Sequence, residues 1–172
     1  VEGTGAWSEF TLHYRPDPES TEWTRSVVAE ATADIDPKEA PLKPIYDDRS
    51  ATQRVTGPVA LAVDGDEKTA WTTDWGYGRS HLNREAVFVL EAPIEAPGEL
   101  RVWLSQRHGG WNSDDNQTYN LGRFRLSVTD AVAPRASSVP VAVRDLLKRD
   151  RASWHAAERR LVFGAWLADR ED

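Results

Sequence analysis

Cysteine is absent from this chain of 172 residues, which excludes disulfides, thiolate zinc sites, cysteine nucleophiles and haem attached through thioether bonds. No apolar run is long enough to cross a bilayer, so no membrane span is expected. Positive charge is in the minority, with 21 Lys and Arg against 28 Asp and Glu and a formal net charge of -7. Phosphate binding needs a basic face, so nucleic acid is not an expected partner. The chain also lacks a Gly-Lys-Ser/Thr phosphate loop and a Ser-centred nucleophile elbow. It begins at Val1 with neither an initiator Met nor a visible signal sequence, and the expectation is a mature form or an excised piece.

What is present is a globular composition, 40% hydrophobic and 28% charged, in a chain of single-domain size. Phe10, Leu12 and Tyr14 alternate with Glu9, Thr11 and His13, the period of a half-buried strand. Val27 to Ile35 forms a second, weaker strand pattern, and Pro37, Pro41 and Pro44 make an extended connector. "EAVFVLEAP" then reads as a buried strand. "GELRVWLSQ" turns Leu100, Val102 and Leu104 inward and Arg101, Trp103 and Ser105 outward. "GRFRLSVTD" does the same with Phe124, Leu126 and Val128 against Arg123, Arg125 and Ser127. Three such strands in succession predict an antiparallel sheet. Beyond a linker-like stretch at Pro134 to Ser138, Val143, Leu146 and Leu147 mark one helix. Trp154, Leu161, Val162, Ala165 and Trp166 then form one helical stripe. The expected fold is mainly β: an antiparallel β-sandwich over 1–133, with a helical tail over 134–172 packed on it or extending from it.

If Ala86–Leu90 and Leu100–Ser105 are antiparallel neighbours, the turn between them lies at one end of the sheet. The segments Asp74–Arg84 and Arg107–Asn120 then share the opposite rim. Both are polar and carry aromatic rings, and loops held by a rigid sheet are where binding concentrates. Trp75, Tyr77 and Trp111 are the candidate stacking rings, since an apolar ring face suits the C–H face of a pyranose. The same rings also suit a lid over the core. Arg79, His108, Asn112, Asp114 and Asn116 are placed to bond sugar hydroxyls. Trp103 and Arg125 stand on the outward sheet face as a platform below, unless the helical tail covers it. If Arg101, Arg123 and Arg125 reach the same cleft, acidic or sulfated glycans become candidates.

Catalysis is not expected. Asp114 and Asp115 are adjacent and point apart in extended chain, whereas glycosidic acid/base pairs come from separate elements. His81 and His108 without a third ligand are hydrogen-bonding groups before they are a metal site. "VDGDEKT" offers Asp64, Asp66 and Thr69 as oxygen ligands for a structural calcium ion. The same residues also suit a capped Asp-Gly turn without metal.

"AVDGDEKTAW" resembles the Asp-Gly-x-x-x-Thr-x-Trp signature of discoidin and coagulation-factor type C domains and related galactose-binding-like modules. That resemblance implies a jelly-roll sandwich, a structural calcium at the Asp-Gly segment, and rim loops that bind sugars or lipid head groups. The acidic residue that often completes the calcium site on the last strand is replaced here by Arg123 and Arg125, with Asp130 nearby. "VTGPVALAVDGDEKTAW", "REAVFVLEAPI" and "QRHGGWNSDDNQTYNLGRFRLSVT" together are similar to a segment of large planctomycete-specific cytochrome-c proteins, and so is the tail from "VPVAVRDLL". This implies a carbohydrate-binding module of an exported, extracytoplasmic multidomain protein, without haem in this chain. The implied partners are a polysaccharide or oligosaccharide and the neighbouring domains of the parent protein. The alternative expectation is a structural spacer that docks those domains, and a third, ranked below it, is a glycoside hydrolase using the 107–120 loop.

Overall fold

The alternating residues Glu9–Arg15 form the central strand of a sheet, with Phe10 and Leu12 buried on one face. The structure, a computed structural model, describes residues 5–42, 53–74, 83–108 and 120–168. Nine strands and two C-terminal helices are present among these residues, and no sheet closes into a barrel.

The first sheet contains β1 (Ala6–Trp7), β5 (Ala40–Pro41), β6 (Val55–Gly57) and β7 (Thr69–Thr72), in the order β1-β7-β6-β5. β6 and β7 run parallel and the other pairs antiparallel. The second sheet places β2 (Glu9–Arg15) between β3 (Thr24–Ser26) and β9 (Glu99–Ser105), antiparallel to both. The third pairs β4 (Val28–Ala33) with β8 (Ala86–Leu90).

Apolar packing joins the sheets. Trp7 and Trp71 meet edge to face at 5.6 Å and cluster with Val59 and Ala62 from a 3-10 turn. The Phe10 ring of β2 stacks on Phe88 of β8 at 4.1 Å, linking the second and third sheets. Gly98 lets the turn before β9 close on the end of β2. A Cβ there would lie 2.4 Å from the Arg15 carbonyl oxygen, closer than any side chain tolerates. The Tyr14 hydroxyl lies 3.0 Å from both the Ala96 and Pro97 carbonyls and fastens the same turn.

Three expectations are corrected. β8 and β9 are not neighbours: β8 pairs with β4 and β9 with β2. Alternation tells which face of a strand is apolar, but not which partner it will find. The segment Gly122–Asp130 forms no ladder among the described residues. Phe124, Leu126 and Val128 are exposed there, Val128 by 85%. Lastly, Trp154 lies outside the helical stripe. It is buried in the turn before α2 (Ala156–Ala168), while Leu161 and Trp166 face outward. The start of the tail touches the sheets, while α2 contacts α1 (Val141–Leu147). α1 buries Val143 and Leu146, Arg144 pairs with Glu85, and the Ala136 N–H donates to Thr32 Oγ1 at 2.9 Å.

Candidate functional site

Directly opposed residues in an antiparallel pair share one face. The registers of β2 with β3 and β9 therefore put Arg25, His13 and Arg101 in one row across three strands. Thr11 and Trp103 form the next row and Arg15 and Glu99 the row on the other side. This is the face opposite Phe10 and Leu12. Trp103 is 58% exposed on it, so the helical tail does not cover this ring.

Trp23, just before β3, organises the cations. The Arg101 guanidinium lies 3.9 Å from the Trp23 ring centroid and that of Arg15 lies 4.6 Å away. A guanidinium so close to an indole is attracted by the negative ring face. Arg101 has to cross β2 to make this contact, because Trp23 belongs to the β3 side. Arg15 is also held by Glu99, its Nε donating at 3.0 Å, and by the Ser20 carbonyl. Arg25 and Arg101 form no ion pair with any described residue, and His13 Nδ1 is shielded without a hydrogen-bond partner.

The Asp-Gly turn gathers oxygens. Thr69 Oγ1 lies 2.7 Å from Asp64 Oδ2 and 2.8 Å from the Asp66 carbonyl, and Glu9 Oε1 accepts from the Gly65 N–H at 2.6 Å. Burial pushes the Glu9 carboxyl above its ordinary value, and the nearby Asp64 carboxylate pushes the same way. A hard cation would relieve that repulsion, and the oxygen donors Asp64, Asp66 carbonyl and Thr69, with Glu9 alongside, suit calcium. The Asp66 side chain instead caps the turn, accepting from the Lys68 N–H at 2.9 Å. No cluster of three or more His, Cys, Asp or Glu side chains at metal-binding range occurs among the described residues.

The rim residues divide. Trp75, Tyr77, Arg79, His81, Trp111, Asn112, Asp114 and Asn116 lie outside the described residues. The roots of their two segments lie together. Thr73 N donates to the Gly5 carbonyl at 2.9 Å and Gly5 N to Thr73 Oγ1 at 2.7 Å, and a Cβ at Gly5 would meet Leu121. Leu121 N in turn donates to the Gln106 side chain. This adjacency arises through Gly5, since the hairpin that first predicted it does not form.

His108 is placed differently from the expectation of a sugar-bonding group. It is fully buried, with Nε2 at 3.0 Å from both the Val55 and Lys68 carbonyls. Two acceptors at Nε2 fix the hydrogen there, so Nδ1 accepts from the Ser8 hydroxyl at 3.1 Å. Ser8 Oγ in turn accepts from the Arg107 N–H at 2.9 Å. Burial lowers the His108 pKa from its ordinary value, against the pull of the two carbonyls. Arg125 is exposed in the segment that forms no ladder, away from the register of the three-strand sheet. Sequence reasoning passed over Trp23, Arg25 and the outward role of His13. The available signal was the two-residue period of β2, which turns His13 to the face opposite Phe10 and Leu12.

Comparison of the chain with protein-family models, curated proteins and solved structures returned no match. The resemblance to discoidin-type modules and planctomycete cytochrome-c proteins therefore rests on the motif residues alone.

Proposed function

We propose that this chain is a non-catalytic carbohydrate-binding module, its sheets assembled as a galactose-binding-like jelly-roll sandwich. The observation that carries this reading is Trp103, exposed on a regular strand beside the small Thr11, on the same sheet face as the Arg25–His13–Arg101 row. A rigid aromatic ring on a flat polar face suits a pyranose C–H face, with neighbouring donors for its hydroxyls. Trp75, Tyr77, Arg79, Trp111, Asn112, Asp114 and Asn116, from the two segments whose roots are joined, complete the proposal as its ligand-binding residues. His108 has no place in it as a ligand, and Arg125 belongs only if the exposed segment folds towards the sheet. Calcium at Asp64, Asp66 carbonyl and Thr69, supported by Glu9, would brace the sugar-binding fold without taking part in chemistry. The parent is proposed to be an exported multidomain protein of the planctomycete cytochrome-c type.

A glycan array with the wild-type chain, Trp103→Ala and Trp111→Ala tests this reading and separates the sheet face from the rim. Binding lost in either variant supports the corresponding surface; a wild-type chain that binds no glycan removes the reading. One observation favours a second function, a docking module for neighbouring domains. Phe124, Leu126 and Val128 form an exposed apolar row, and Phe163 stacks on Trp166 at 5.7 Å on the outer side of α2.

A further inference from the structure

We propose that the outer face of β3, β2 and β9 receives a sulfated polysaccharide, with Arg25 and Arg101 holding a sulfate ester and Trp103 stacking a sugar ring further along the same glycan chain. The inference rests on the sugar-binding reading above and names its ligand class. The chain carries a net charge of -7, so a polyanion gains nothing from its overall field. Attraction has to come from a local cluster of cations.

Of the fourteen arginines among the described residues, six are engaged by carboxylates. Arg15, Arg84, Arg107, Arg135, Arg144 and Arg149 each reach a carboxylate. Among the described residues Arg25 and Arg101 do not, and they stand in one row with only His13 between them. Strands are spaced about 4.8 Å apart, so that row is about 10 Å wide at the backbone. Arg101 narrows it by crossing β2 to lie over Trp23, two residues before Arg25. Contact through the guanidinium's charge and ring attraction leaves N–H donors for an anion. Arg25 and Arg101 thus present two guanidiniums on one face with no carboxylate at ion-pair distance among the described residues, a local positive site on an acidic chain.

The chemistry of the pair favours sulfate over carboxylate. A carboxylate offers two oxygens in one plane and is satisfied by a single arginine fork. A sulfate ester presents three terminal oxygens in different directions and accepts from two guanidiniums on separate strands. Trp103 lies on the same face, one row from Arg101 on the side away from Trp23, so its ring is placed to meet a sugar further along the glycan chain than the sulfated one.

Calorimetric titration with a heparin oligosaccharide tests this against three other probes: the same oligosaccharide fully desulfated, a neutral cello-oligosaccharide, and single-stranded DNA of matched charge. The expected result is preference for the sulfated probe, weakened about tenfold or more by Arg25→Ala or Arg101→Lys. Arg160→Ala on α2 should leave binding unchanged. Arg101→Lys keeps the charge and removes the fork, and unchanged circular dichroism in each variant separates lost binding from lost folding. Equal binding of sulfated and desulfated oligosaccharides overturns the proposal, as does equal binding of DNA or equal loss in Arg160→Ala. Neutral glycan binding that needs Trp103 but neither arginine overturns this inference and leaves the sugar-binding reading standing. Absence of binding to every glycan removes both.

Discussion

Ser8 and His108 are joined by a buried hydrogen bond of 3.1 Å between residues 100 apart in sequence. The imidazole is a bolt in the interior: one nitrogen faces the strand carbonyl of Val55 and the carbonyl of Lys68, and the other holds the chain entering β2. Replacing it strands polar groups that water cannot reach. His108→Ala should therefore cost about 2–4 kcal/mol, since each unsatisfied buried group costs about 1–3 kcal/mol. Urea unfolding measures this. A loss below about 0.5 kcal/mol would mean the ring is on the surface.

The same residue sets a pH dependence. Its folded pKa is lowered by burial, so the unfolded chain binds the proton more readily. Its contribution is fully present above the unfolded value of about 6.5. That contribution is lost as pH falls from there through the lowered folded value. The stability difference between wild type and His108→Gln should shrink across that window. Glu9 and Asp34, both raised by burial, titrate in both proteins and cancel in the comparison. A difference that grows on acidification would contradict the neutral, Nε2-protonated ring.

Calcium is a separate prediction. If the Asp64 and Thr69 oxygens bind it, millimolar calcium should raise the melting temperature relative to EDTA. Ligand at about 100 times its Kd adds about 2.7 kcal/mol, or several degrees for a chain of this size. Asp64→Asn should abolish the shift. Identical melting in calcium and EDTA would leave a capped turn in which Thr69 and backbone groups do the work.

The exposed segment after Gly122 makes a contrasting pair of substitutions. Leu126→Ser and Val128→Ser should each change stability by less than about 0.5 kcal/mol, as at other open positions. Trp71→Ala, at a site 3% exposed against Trp7, should cost about 3–5 kcal/mol. A large loss at Leu126 would show that the segment is a packed strand after all.

The strands and their faces were legible because burial leaves a two-residue period at Phe10, Leu12 and Tyr14 and an apolar run at Ala86–Leu90. Their pairing was not, because the same period suits any neighbour; β9 chose β2, nearly ninety residues earlier in the chain. Phe124, Leu126 and Val128 carry the period without a ladder, so patterning alone does not supply a partner edge. His108 looked like a loop ligand because its neighbours in sequence are polar. Its real partners, Val55 and Lys68, lie 53 and 40 residues away. The Arg101–Trp23 contact was hidden for a similar reason, since it runs diagonally across a strand that only the register reveals.

Trp103 bears most directly on the central claim of sugar recognition. Its side chain is exposed, so Trp103→Ala should preserve the melting temperature to within a few degrees. Calorimetry with a glycan that binds the wild type should then show affinity reduced about tenfold or more, since the ring supplies the stacking surface. Unchanged affinity in this folded variant would contradict a binding role for the sheet face.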